Sequence, residues 1–181
     1  MPGEAALEIV TNSGSAPIGT MHLDAVAPAL FLAPDYSLTP VAFLEQIQPD
    51  GSRTSQPLFE CSAPNSCVPV SIEAPPQGSK SYLVFYGTGF RNANPGNVKC
   101  TIAGWAEFPV EYAGPSGEAG LDEIRIPLEF SPDSEFWQTV YVSPMQEVEL
   151  SIEGVLANRA LLFFSAPEPP RWWSTLKRLP D

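Results

Sequence analysis

Positive charge is scarce in this chain. Nine lysines and arginines stand against 21 acids over 181 residues, a formal net charge of −12 at pH 7. Six of the basic residues are scattered singly between Arg53 and Arg159, and Arg171, Lys177 and Arg178 share a short tail with Asp181. A nucleic acid or an anionic membrane requires a basic field that displaces counterions from phosphates, so both are poor partners for this body. Histidine is nearly absent: His22 stands alone, which excludes a multi-histidine metal site. Long apolar runs are missing too, and no stretch approaches the roughly 20 residues needed to span a bilayer. Met1-Pro2-Gly3-Glu4 has neither the basic start nor the apolar run of a secretory leader. The expectation is a cytoplasmic protein or a mature exported chain whose leader has been removed.

Cysteine is sparse but informatively placed. Cys61 and Cys67 bracket a turn-rich loop, Cys-Ser-Ala-Pro-Asn-Ser-Cys, between two apolar runs. A disulfide there fits an oxidising compartment and favours the exported reading; two free thiols in a cytosolic loop are the alternative. Two cysteines and a distant His22 are too few ligands for zinc. Cys100 alternates with Val98 and Ile102, the position of a buried, inert core residue.

Proline, in contrast, is plentiful. With 21 prolines, long helices are excluded, since each interior proline costs a helix about 3 kcal/mol. Apolar residues make up 44% of the chain, enough to bury a real core. The dominant period is two. Glu147–Glu153 alternates without a break, and Glu123–Phe130 does so with Pro127 marking an edge or the end of pairing. Further strands are predicted at Leu7–Thr11, Gly19–Leu23, Val41–Gln48, Thr54–Phe59, Val68–Glu73 and Ser81–Tyr86. Val98–Ala103, Phe108–Tyr112, Trp137–Val142 and Leu156–Phe164 complete the set. Pro49-Asp50-Gly51 and Glu153-Gly154 are hairpin turns by composition. The predicted fold is all-β, an antiparallel Ig-like β-sandwich or pair of sandwiches with a short irregular C-terminal tail. Residues 1–75 form an N-terminal β region, a partial unit plus a hairpin, and residues 76–166 a more regular sandwich. The Pro/Trp-rich basic tail covers residues 167–181. Residues 74–80 between the first two parts are a linker or an inter-strand crossing.

Catalytic groups are hard to find. Tyr86-Gly87-Thr88-Gly89 has the glycines of a phosphate loop, but no helix start, lysine or third glycine follows; it reads as a turn. His22 and Asp24 lack a Gly-x-Ser-x-Gly elbow, and residues two apart on a strand point the same way. The acids are so numerous that paired carboxylates carry no signal. Glu147, Glu149 and Glu153 read as a solvated face. Asp133 and Glu135 are weak calcium candidates without an EF-type pattern. No catalytic residue, cofactor or metal site is therefore assigned.

Four tryptophans remain. Trp105 and Trp137 take core-edge positions, or, if exposed and coplanar, the stacking positions of a carbohydrate-binding module. Trp172 and Trp173 sit beyond the last strand, where one of the two is expected to dock on a partner or fold back on the sandwich.

Ala27–Phe31, Tyr82–Phe90, Pro109–Pro115, Gly120–Pro127 and Val148–Phe163 together resemble an uncharacterised domain family found at the C-termini of secreted acidobacterial (Solibacter-type) proteins. Tyr82–Phe90 is similar to its strand followed by Tyr-Gly-Thr-Gly-Leu, and Pro109–Pro115 to its Pro-Val-x-Tyr-Ala-Gly stretch. Gly120–Pro127, Val148–Phe163 and Ala27–Phe31 resemble further segments in the same order. The Cys61/Cys67 loop and the Trp172-Trp173 tail depart from it. The resemblance implies an IPT/TIG-like sandwich on exported proteins and carries no catalytic residue.

Together these readings predict a non-catalytic extracellular or cell-surface protein acting through protein–protein contacts. A homo-oligomer or filament would form through the N-terminal strand, with Leu7 and Ile9, or through the Trp172–Trp173 tail. The alternative is a polysaccharide-binding sandwich using Trp105 or Trp137.

Overall fold

The computed structural model describes residues 3–24, 26–34, 38–76, 78–128 and 135–165. Its strands are, in chain order, β1 (Gly3–Thr11), β2 (Gly14–Leu23), β3 (Ala29–Leu30), β4 (Ala42–Ile47) and β5 (Arg53–Pro57). Next come β6 (Phe59–Ala63), β7 (Ser66–Pro69), β8 (Lys80–Thr88), β9 (Val98–Ile102), β10 (Ala106–Phe108), β11 (Tyr112–Pro115) and β12 (Asp122–Pro127). A short helix, α1 (Glu135–Val142), precedes β13 (Met145–Ile152), β14 (Val155–Leu156) and β15 (Ala160–Phe163).

The fold is all-β and its strand pairs are antiparallel. A first sheet runs β11-β12-β8-β4-β5, with β3 pairing the end of β8. A second runs β10-β9-β13, with β14 and β15 sharing the far edge of β13. Alternation explains which residues go inside. On β8, Leu83 and Phe85 point inward; on β12, Ile124 and Ile126; on β13, Val148, Leu150 and Ile152. These join Val98, Cys100 and Ile102 of β9 in one apolar core to which both sheets contribute. Cys100 sits there fully enclosed, and burial pushes its thiol up to about 12.

Residues 74–80 join strands of one sheet, because β4 before them pairs with β8 after them. They are the inter-strand crossing, and both predicted parts contribute to the same core. The Pro49–Gly51 turn forms as composition suggests: Gly51 takes φ +84°, and the Asp50 carboxylate is held below its ordinary pKa first by the Ser52 hydroxyl and then by the Ser52 N–H, which donates to it. Glu153 and Gly154 both take positive φ, the backbone of a tight hairpin between β13 and β14.

Four predicted strands are corrected. Leu156–Phe164 is two short strands, β14 and β15, interrupted at residues 157–159 and paired with separate stretches of β13. Trp137–Val142 is part of α1: Phe136 and Val140, four apart, are buried on one helical face. A six-residue window of aromatic and β-branched residues hid that spacing. Phe108–Tyr112 is two strands on different sheets, since Pro109 follows the end of β10 and the chain crosses before β11. Val68–Glu73 ends its pairing at Pro69, and Ile72 instead bridges Phe164 in parallel.

Two hairpins belong to neither sheet. β6–β7 is closed by the Cys61–Cys67 disulfide, the two cysteines directly opposite in register. β1–β2 turns through Asn12-Ser13 and pairs only with itself among the described residues. The N-terminal strand is thus a paired hairpin strand rather than an orphan edge of the sandwich.

Candidate functional site

The motif residues behind the family resemblance gather at one junction, and their roles there are structural. At the end of β8, a Cβ on Gly87 would lie 2.1 Å from the Ala29 carbonyl oxygen and 2.7 Å from the Phe90 ring. One on Gly89, whose φ is +84°, would lie 2.3 Å from the Ala27 carbonyl oxygen. Glycine is required at both positions so that residues 27–30 can lie against β8. The nearly buried Asp122 carboxylate accepts from the Phe90 N–H, the Arg91 N–H and Arg91 Nε, each at 3.0 Å. Asn158 closes the far side: its Oδ1 accepts from the Leu30 N–H at 2.7 Å and its Nδ2 donates to the Leu30 carbonyl at 3.2 Å. On β11, the Tyr112 hydroxyl donates to the Pro115 carbonyl at 2.7 Å, and the ring closes over Gly114. A half-open cleft of about 440 Å³ lies beside the junction, with Asp24, Arg91 and Glu153 at its lip. Asp122 already neutralises Arg91, which leaves Asp24 and Glu153 as the other charged groups of the cleft's lining. Among the described residues no cluster of three or more His, Cys, Asp or Glu could hold a metal ion.

Hairpin β1–β2 has a different character. Register and alternation place Ala5, Leu7 and Ile9 of β1 on one face with Met21, Gly19 and Ala16 directly opposite on β2. Glu4, Glu8, Thr20 and His22 take the other face, with Val10 near the turn. A bulge between Leu7 and Glu8 leaves Ile18 as the extra residue. No described residue of the two strands is buried, and none joins the core. Leu7, Ile9, Val10, Ile18 and Met21 are five of the twelve large hydrophobic residues exposed in the described structure. That concentration on one two-stranded element makes the hairpin the candidate site, because lone exposed apolar residues need no explanation and a contiguous patch does. Leu7 and Ile9 therefore lie together, as the sequence suggested. Gly19 opposite Leu7 falls in the predicted Gly19–Leu23 window, but Ala16 opposite Ile9 and the bulged Ile18 lie outside it.

The other sequence candidates fall elsewhere. Trp105 follows two positive-φ residues in the β9–β10 turn and is 48% exposed rather than core. Trp137 lies in α1, and its side chain is outside the described set, as are Asp133 and the whole tail with Trp172 and Trp173. His22 Nε2 and Asp24 Oδ1 meet at 3.3 Å, contrary to the strand argument, because Asp24 lies just past the end of β2. The pair is solvent-exposed. No helix among the described residues is long and apolar enough to cross a membrane. Glu147 and Glu149 face outward from β13, and Glu147 pairs with Arg159 at 2.6 Å.

The outer face of the first sheet differs from that acidic surface. Tyr82, Val84 and Tyr86 of β8 point away from the core between Phe43 and Glu45 of β4 and Glu123 and Arg125 of β12. Arg125 reaches across β8 to an ion pair with Glu45, passing 5.8 Å from the Tyr82 ring centre. Phe43 meets Tyr86 edge-on at 5.9 Å. These side chains cover Val84, which is 1% exposed although it points outward. Burial pushes the Glu123 carboxyl up, with Arg125 opposing and Glu45 adding to the rise. The Tyr86 phenol is raised first by burial and then by Glu123 and Glu45. Comparison with protein-family models, curated proteins and solved structures finds no match.

Proposed function

We propose that this is an exported, non-catalytic interaction protein whose N-terminal hairpin is its contact element. The observation that carries the reading is the uncovered apolar face of β1–β2. A two-stranded hairpin is marginal in water by itself, and this one has no second layer among the described residues. Burying half of its exposed apolar side chains on a partner contributes about 4 kcal/mol before association costs.

A second copy is the partner the sequence itself supplies. Two such faces laid against each other make a small isologous four-stranded layer, with Glu4, Glu8, Thr20 and His22 of each copy left in water. The Cys61–Cys67 disulfide supports export, since such bonds persist in oxidising compartments. The resemblance to secreted acidobacterial domains supports it as well. The test is light scattering of the non-reduced protein over a range of concentrations. A mass above that of the monomer, returning to the monomer in Ile9→Lys, is the expected result. A strict monomer at high concentration overturns self-association.

A further inference from the structure

The outer face of the first sheet is a second surface, independent of the hairpin and of different chemistry. Its strands bring Phe43, Glu45, Tyr82, Tyr86, Glu123 and Arg125 side by side on one wall. Tyr82 and Tyr86 are four residues apart on β8, about 13 Å at the usual rise of a strand. Both are half-buried, and neither hydroxyl has a hydrogen-bond partner among the described residues.

The charges on this wall decide what can cover it. Arg125 is held between Glu45 and Glu123, so its charge is already spent. An apolar partner surface, such as a second copy's hairpin, would strip water from all three ions and return nothing, a penalty of several kcal/mol per ion. An anionic ligand meets two carboxylates on a chain of net charge −12, and a cationic one finds both carboxylates already paired with Arg125 and would have to displace it. What remains is a neutral ligand with apolar C–H faces for the rings and hydroxyls for the carboxylates. We propose that this face binds neutral polysaccharide, with Tyr82, Tyr86 and Phe43 as stacking groups and Glu45 and Glu123 as hydroxyl acceptors. The exposed tryptophan of the β9–β10 turn is not part of it.

The experiment is native electrophoresis of the full chain through gels containing hydroxyethyl cellulose, xylan or galactomannan. Retardation of the wild type in at least one gel is expected, with about a tenfold loss of affinity in Tyr82→Ala/Tyr86→Ala and none in Trp105→Ala. Because truncating both tyrosines uncovers Val84, Glu123→Gln provides a variant of unchanged size, expected to weaken retardation about fivefold. Unretarded wild type in all three gels overturns the proposal, and so does retardation that survives either variant. The Ile9→Lys variant separates the two surfaces: it leaves glycan retardation intact while abolishing self-association.

Discussion

Hairpin β6–β7 and hairpin β1–β2 both stand outside the two sheets, and they meet the same difficulty by different means. In β6–β7 the strands are short and clasped by a disulfide. Its ends are also fixed: Leu58 just before it is in the core, and Val70 N–H just after it donates to the Leu58 carbonyl at 2.8 Å. β1–β2 is longer, has no covalent tie and presents an apolar face that nothing in the described chain covers. An isolated pair of strands needs a cross-link or a second layer to be ordered. The first hairpin has its solution built in. The second lacks one, and the missing layer is the reason to assign it a partner.

The largest effect that would break the comparison is on assembly. Leu7→Asp/Ile9→Asp places two charges on the apolar face, so association should fall by more than about a hundredfold, corresponding to about 3 kcal/mol. Sedimentation equilibrium would read it. The body should be untouched, and Cys100 reports that directly: its thiol, raised to about 12 by burial, alkylates at pH 8 only when the core opens. Equal labelling rates in the variant and the wild type are expected. Faster labelling would mean that the hairpin does support the core, contrary to its lack of buried residues.

The reference for a true body defect is Asp122→Ala. It removes the acceptor of two backbone N–H groups and of Arg91 Nε, at a cost of about 3 kcal/mol. Cys100 labelling should accelerate by about a hundredfold, while the intrinsic affinity between hairpins stays the same. Loss of assembly at temperatures where the body remains folded would show that the hairpin's placement depends on the junction beside Asp24.

What the sequence made legible follows the physics of period two. Glu147–Glu153 and Glu123–Pro127 were readable because one face of each is buried and the other wet, and the core residues followed from that. Cys61 and Cys67 were readable from the turn between them. Phe136 and Val140 were not, because eight residues give a helix too few turns to outvote aromatic and β-branched neighbours. The site was half legible. Leu7 and Ile9 stood out as alternating apolar residues, but alternation alone cannot say whether a face is covered. The wall around Val84 was invisible: its members come from β4, β8 and β12, brought together by long-range pairing. Tyr86-Gly87-Thr88-Gly89 reads as a turn in the sequence, but Tyr86, Gly87 and Thr88 end β8 and only Gly89 takes a positive φ; the need for both glycines, the approach of residues 27–29, lies in a distant segment.

Removing the covalent tie from the other hairpin should do less than either change above. Cys61→Ser/Cys67→Ser loses about 2 kcal/mol of local stability in the chain-entropy account of a short closed loop. Amide exchange in residues 59–69 should accelerate while the melting of the body shifts little, because Leu58 and Ile72 remain anchored in the core. A large drop in the global melting temperature would show that this hairpin is an integral part of the sandwich.

The complementary change gives β1–β2 the cross-link that β6–β7 already has. Ala6 and Thr20 are directly opposite on the polar face, so Ala6→Cys/Thr20→Cys leaves Leu7, Ile9 and Met21 free to dock. If the hairpin is ordered only when covered, locking it beforehand removes part of the ordering cost, and self-association should tighten about fivefold, near 1 kcal/mol. Amide protection in β1 and β2 should rise at concentrations where the wild type is monomeric. Sedimentation of the oxidised and reduced forms of the same variant separates preorganisation from the substitutions, since only the bond differs. Tighter association in both forms would trace the gain to the new side chains. No gain in either would mean that the hairpin is already rigid without a partner, and the contrast with β6–β7 would then be one of surface chemistry alone.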